Sequence, residues 1–500
     1  MPSSKSSDLF FLIKSMTKAE KRAFNLYVGK GSKSDLLFLK LFDLIDKSET
    51  PDDEVIFKKL KLASGGQYSN LKRHLYQQVL SSLRRLSIDK MPNIKIRSYI
   101  DMAYVLYGKG LYLQALNILG LAQHLCGKFE TDVSLLTIIE FKKRIHSRHI
   151  TRSKEGSVKA LEEQSELLSA SISNRVRLSN LKLHLQQVYV KRGHVKTPKE
   201  FQEIQSFFEE HITGISFDDL GSLEQVYYCQ SYVWYHYIID DFNACMAYAR
   251  KWVDLFIQSP DLQRRDANLL LRGYHYLLTS AFNLKNFGDH DFILKELESY
   301  RKKNYNKFNK NNKIFSFLYV HTGRLNNFFL KQDYLNGVEV IPKTLRRIKR
   351  YHAHLDQHKV MVLHYKIAWM YIGAGQPAKS LSYLLGIISL QKKTLREDIQ
   401  SYARLMHLMA LYDLEDYLMT YNVLRNYKIY FEKVKEKNDL QKLCLKYFSF
   451  ICNAPNIERS THLKVFHQNL VDLYEKKYEK RAFLYLDIIP WIERKIRVEK

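Results

Sequence analysis

Apolar positions recur at helical spacing along almost the whole chain, with polar positions filling the intervals. Thr17-x-x-Glu20 is a capping box that predicts a helix running to Val28, where Gly29 stops it. Leu37, Leu41, Leu44 and Ile45 share one face of a second helix expected over 34–47. Thr50-Pro51-Asp52-Asp53 starts a short helix that ends near Leu60. Ala63-Ser64-Gly65-Gly66 then turns the chain into a long helix expected over 69–88, with Leu71, Leu75, Val79, Leu83 and Leu86 as its buried stripe. Beyond residue 90 the pattern becomes one of paired helices. In 99–127 the small residues Ala103, Ala115 and Ala122 let two antiparallel helices approach, while Tyr99, Leu106, Tyr112 and Leu119 fill the neighbouring unit.

The pairing repeats. A small or apolar position falls at 233, 278, 325, 368 and 408, with intervals of 45, 47, 43 and 40 residues. A turn signature of Asp, Asn or Gly follows each: Asp241-Phe242, Asn286-Phe287, Asp333-Tyr334, Gly375 and Asp416-Tyr417. Within 99–127, Tyr99-x2-Met102-Ala103-x2-Leu106 is followed by Ala115-x3-Leu119, with Gly127 at the late Pro position. On these residues the chain resembles the tetratricopeptide-repeat (TPR) superfamily over about 99–430, with helices longer than its ~34-residue period requires. The resemblance implies an all-α fold: a TPR-like right-handed α-solenoid of helical hairpins whose groove holds a protein or peptide. Ile100/Tyr104 and Tyr365/Trp369 stand where a TPR carboxylate clamp has Lys and Asn, which argues against a clamp for a carboxylate tail. The expected organisation is a small N-terminal helical domain (1–90), helical repeats (91–430) and a C-terminal helical cap (431–500).

At 500 residues the chain is too long for one compact core, and its 9 Pro and 19 Gly argue against a turn-rich all-β fold. Five cysteines without a C-x-x-C pair read as free thiols in a reducing compartment, so a cytoplasmic location is expected. No run approaches the ~20 apolar residues of a membrane span. The net charge of +27 favours an anionic partner, DNA or RNA among the options, or else a solvated Lys-rich surface.

The densest charge lies in 301–360, with 14 Lys and Arg against 3 acidic residues. Arg301–Lys313 reads as an Asn/Lys-rich loop carrying Lys302 and Lys303, with Tyr305 and Phe308 available to stack a base. Lys343, Arg346, Arg347, Lys349 and Arg350 follow on a helix, three of them sharing a face. Lys72, Arg73 and Gln77, with His74 and Gln78, face outward if residues 53–88 act as a helix-turn-helix; otherwise those helices cap the first repeat.

Catalytic constellations are missing. Gly29-Lys30-Gly31-Ser32-Lys33-Ser34 fails the phosphate-loop spacing and follows a helix rather than a strand. His352, His354, His358 and His364 lack the Glu of an H-E-x-x-H site. The expectation is a protein that is not an enzyme and takes no cofactor or metal. Two functions stay open: a binding scaffold for a protein or peptide, associated with an anionic assembly that contains nucleic acid, or a nucleic-acid-binding regulator with a TPR-like sensing or dimerisation domain.

Overall fold

A computed structural model describes residues 4–28, 33–62, 64–129, 132–148, 157–195, 197–351, 355–390, 397–433, 438–476, 479–480 and 482–498. The described residues are helical and contain no strand. The chain divides into two compact units, Met1–Ile172 and Ser173–Lys500.

The first unit opens with α1 (Ser4–Ser15), α2 (Lys18–Val28), α3 (Lys33–Lys47), α4 (Asp53–Leu60) and α5 (Gly65–Ser87). The capping box is in place: Glu20 accepts from the Thr17 backbone N–H at 2.7 Å, and Thr17 Oγ1 accepts from the Glu20 N–H at 3.3 Å. α1 lies in a stretch for which no helix was expected; its Leu9, Phe10 and Ile13 enter a core with Phe24, Phe42 and Leu75. α5 begins four residues earlier than the apolar stripe suggests, because Ser64 caps it through the Gln67 N–H. A separate core joins α6 (Pro92–Gly108), α7 (Tyr112–Phe129) and α8 (Asp132–Arg148), where Ala103, Ala115 and Ala122 are fully buried. Small side chains at these three positions are what allow α6 and α7 to lie close.

Residues 158–172 and 181–193 read as two helices, but they form one, α9 (Ser157–Arg192), and the boundary between the units falls inside it. The intervening SNRVRLSN contains neither Pro nor Gly, so nothing interrupts the backbone hydrogen bonds. The second unit continues with α10 (Pro198–Ile212), α11 (Ser222–Ile238), α12 (Phe242–Gln258), α13 (Pro260–Arg265), α14 (Ala267–Asn283), α15 (Phe287–Asn304), α16 (Lys310–Lys331), α17 (Tyr334–Glu339), α18 (Ile341–Tyr351), α19 (Gln357–Gly373) and α20 (Pro377–Ile388). It closes with α21 (Glu397–Asp413), α22 (Tyr417–Lys433), α23 (Asp439–Asn453), α24 (Asn456–Tyr474), α25 (Ala482–Tyr485) and α26 (Ile489–Val498). Pro342 explains why α17 and α18 are two helices, since its ring supplies no N–H and crowds the preceding turn.

Helices of this unit pack on near neighbours in the chain, either the next helix or the next but one: α11 on α12, α12 on α14, α14 on α15 and α16, α19 on α20, α20 on α21. Among the described residues, six hairpins turn by the same device. The first helix ends in a left-handed residue: Gly110, Asp240, Lys285, Gln332, Gly375 or Glu415. The next N–H then reaches the carbonyl five residues back, as in Asp241 to His236 at 2.9 Å and Asn286 to Ala281 at 3.0 Å. In four hairpins that same residue, Asp241, Asn286, Asp333 or Asp416, caps the second helix with its side chain. One Asp or Asn thus closes one helix and opens the next, which is the physical content of the turn signature.

α19 lies between two cores. Leu363, Ile367 and Met370 belong to the core of α11–α18, while Tyr365, Ala368 and Ile372 belong to that of α20–α26. Tyr365 donates to the Tyr485 carbonyl at 2.7 Å, and Trp491 Nε1 donates to Asp413 at 3.0 Å.

Candidate functional site

α18 is strongly amphipathic. Ile341, Thr344, Ile348 and Tyr351 are buried, Lys343, Arg346, Lys349 and Arg350 are exposed, and Arg347 is half-buried. Lys302 and Lys303 are exposed in the last turn of α15, where cations suit the carbonyl end of a helix.

The stretch 301–313 is not the Asn/Lys-rich loop expected from its composition. Residues 301–304 complete α15, and α16 starts at Lys310 with Asn309 capping the Asn312 N–H at 2.9 Å. Phe308 is buried, with its ring 5.9 Å from that of Tyr300, so it is committed to the core and unavailable to stack a base. Tyr305 is half-buried and interacts with Tyr351 and Arg347. Through these contacts the structure brings the two halves of the basic segment together.

Lys72, Arg73 and Gln77 belong to the first unit. Arg73 and Gln77 are exposed on α5. Lys72 is half-buried; its ammonium pairs with Asp53 at 2.7 Å and lies 4.6 Å from the Tyr68 ring centroid, so it ties α5 to the start of α4. Tyr68 donates to the same carboxylate at 3.0 Å.

A second set of cations had no signal in the sequence. On helices α9, α14 and α19 lie Lys182, Arg272, Lys359 and Lys366, all half-buried. Their partners are neutral. Lys182 donates to Gln230 Oε1 at 3.0 Å and Lys366 to Asn326 Oδ1 at 2.7 Å. Lys182 stands 4.8 Å from the Tyr227 ring, Lys359 4.1 Å from Phe315, and Lys366 4.8 Å from Phe282. Arg272 acts electrostatically on the Tyr276 hydroxyl. None of the four has a carboxylate at ion-pair distance among the described residues; the nearest acidic influence is that of Asp356 on Lys359.

The energetics follow from that arrangement. Burial lowers Lys366 to about 8, and burial followed by repulsion from Arg272 lowers Lys182 to about 8. Lys359 is lowered by burial, partly offset by Asp356. His275 stacks on Tyr319 at 4.5 Å; burial, then Lys359, Arg272 and Lys366, push it down to about 3, so it stays neutral. Arg272 therefore repels both Lys182 and Lys359, and Arg272, Lys359 and Lys366 all act on the neutral His275. A chain that keeps them there holds desolvated positive charge without an anion to match it. What such a surface can do chemically is accept carboxylates or other oxyanions, with Tyr, Phe and His rings flanking the charge.

Among the described residues no group of three or more His, Cys, Asp or Glu is placed to hold a metal ion. His352, His354 and Gly29–Ser32 lie outside the described residues. No described helix is long and apolar enough to cross a membrane. Comparison with protein-family models, with curated proteins and with solved structures finds no match.

Proposed function

We propose that this protein is a non-enzymatic binding scaffold, a TPR-like right-handed α-solenoid whose hairpins present a cationic groove to an acidic segment of a partner protein. The observation that carries the reading is the line Lys182–Arg272–Lys359–Lys366: half-buried cations, held by amides and aromatic rings rather than by carboxylates. A partner that brings Asp and Glu side chains supplies what the fold withholds. The recurrent hairpin turn and the chain-order packing of the helices support the solenoid, in which the first helix of each pair lines the groove. In this reading residues 1–90 form an N-terminal helical domain and 431–500 the closing cap, and the free cysteines suit a cytoplasmic setting.

The regulator reading draws on a different observation, the exposure of Arg73 and Gln77 on α5 and of Arg346, Lys349 and Arg350 on α18. One experiment separates the two. Fluorescence anisotropy of the full chain is measured with a poly-glutamate peptide and with mixed-sequence DNA and RNA, each at two salt concentrations. The peptide should bind, with affinity reduced by salt and lost on Lys359→Gln together with Lys366→Gln. Tight, salt-steep nucleic-acid binding that disappears on charge reversal at Arg346, Lys349 and Arg350 would move the regulator ahead. Neither response would overturn both readings.

A further inference from the structure

On α15, α16 and α18, three guanidinium groups, Arg301, Arg324 and Arg347, come within electrostatic reach of one another. One of them has a carboxylate partner, Glu298. Arg324 on α16 uses it, its Nε donating to Glu298 at 2.6 Å. Arg301, in the last turn of α15, and Arg347, on α18, have no ion-pair partner among the described residues. They meet phenols instead. Arg301 and Lys313 each lie 5.3 Å from the Tyr305 ring centroid, while the Tyr305 hydroxyl interacts with Arg347 and Tyr351. Arg301 Nε is buried and reaches no acceptor. An unmatched, desolvated guanidinium repelled by two others costs free energy that an anion would recover. Beyond Glu298, no carboxylate among the described residues pairs with Arg301, Arg324 or Arg347. The Tyr305 hydroxyl is held below the usual phenol range by interaction with Tyr351, Arg347 and Arg301. His321, buried with Nδ1 2.7 Å from Thr344 Oγ1, is pushed down to about 3 by burial and then by Arg324, Arg301, Arg347 and Lys343.

We propose that Arg301, Arg347 and the hydroxyls of Tyr305 and Tyr351 form a binding site for a phosphate-class oxyanion. Two planar guanidinium forks and a phenolic donor offer more hydrogen bonds than the two oxygens of a carboxylate can accept, and a tetrahedral phosphoryl group matches them better. The site uses none of the groove cations, so its failure would leave the acidic-peptide reading standing, and the reverse.

The test is isothermal titration calorimetry of the full chain with inorganic phosphate, at constant ionic strength set with chloride. A parallel arm uses a phosphoserine peptide and its unphosphorylated twin. The wild type should show saturable binding to one site. Arg301→Met and Arg347→Met, which keep the stem length and remove the charge, should each weaken it about tenfold or more, as expected for charge-assisted hydrogen bonds. Lys433→Met on the exposed face of α22 should leave it unchanged. A phosphopeptide bound tighter than free phosphate marks a phosphorylated chain as the source, and equal affinities mark free phosphate. Absence of saturable phosphate binding, or binding untouched by both Arg variants, would overturn the site. Should Arg301→Met not fold, Arg347→Lys keeps the charge and loses the fork, and undiminished binding there counts against the proposal.

Discussion

Lys366 should make the fold less stable, and removing it should show this. Burial lowers its amine from an ordinary 10.5 to about 8. At ~1.4 kcal/mol per pH unit, keeping the folded lysine protonated at pH 7 costs about 3 kcal/mol relative to the unfolded chain. Lys366→Met preserves the stem against Phe282 and Phe329 and abolishes that penalty. It also deprives Asn326 Oδ1 of its donor, a loss of ~1–2 kcal/mol. The variant should therefore be the more stable at pH 7 by roughly 1–2 kcal/mol, read from urea unfolding followed by far-UV circular dichroism. The folded pKa lies below the unfolded one, so between pH 8 and 10.5 the unfolded chain retains a proton that the folded chain has released. Wild-type stability gains on the variant across that window, and the variant's advantage should vanish or reverse by pH 10.5. Ionisation of the 34 tyrosines is common to both chains and cancels in the difference. A variant less stable at pH 7, or a difference that does not change with pH, would refute the view that this charge is held against the preference of the fold.

Two further predictions concern backbone geometry. Glu415 and Gln332 occupy the left-handed position of their hairpin turns with φ of 59° and 54°, so Glu415→Gly and Gln332→Gly should each stabilise by about 1 kcal/mol in the same unfolding assay. A Cβ on Gly373 would overlap the buried Tyr334 ring, which joins α19 to α17; Gly373→Ala should destabilise by about 2–3 kcal/mol or more, visible as a lowered thermal midpoint.

Helix positions were legible because they depend on local chemistry. The capping box and the Asp or Asn before an aromatic act within a few residues, and both were found performing that role, whereas Pro51 precedes the Asp52 cap of α4 rather than occupying its first position. α1 was overlooked because Leu9–Ile13 is short and lacks a start signal, and only packing on α3 and α5 explains it. The misreading of 301–313 had the opposite cause. Asn and Lys dominate its composition, yet a single buried Phe308 and an Asn309 cap decide the conformation. The half-buried cations of α9, α14 and α19 were invisible for a stronger reason. Lys182, Arg272, Lys359 and Lys366 are isolated charges on three helices far apart in sequence, each indistinguishable from a solvated side chain. Their meaning comes from neighbours such as Gln230 and Asn326, which only tertiary structure supplies.

α19 carries Lys359 and Lys366, and it is also the wall shared by two cores. Whatever grips those two lysines grips a helix whose opposite sides serve different halves of the same unit. Occupancy of the groove would then raise the local opening free energy on both sides at once, binding the unfolding of the α11–α18 hairpins to that of the α20–α26 helices. On the proposed binding, a ligand held by Lys359 and Lys366 would tighten both sets of helices through α19.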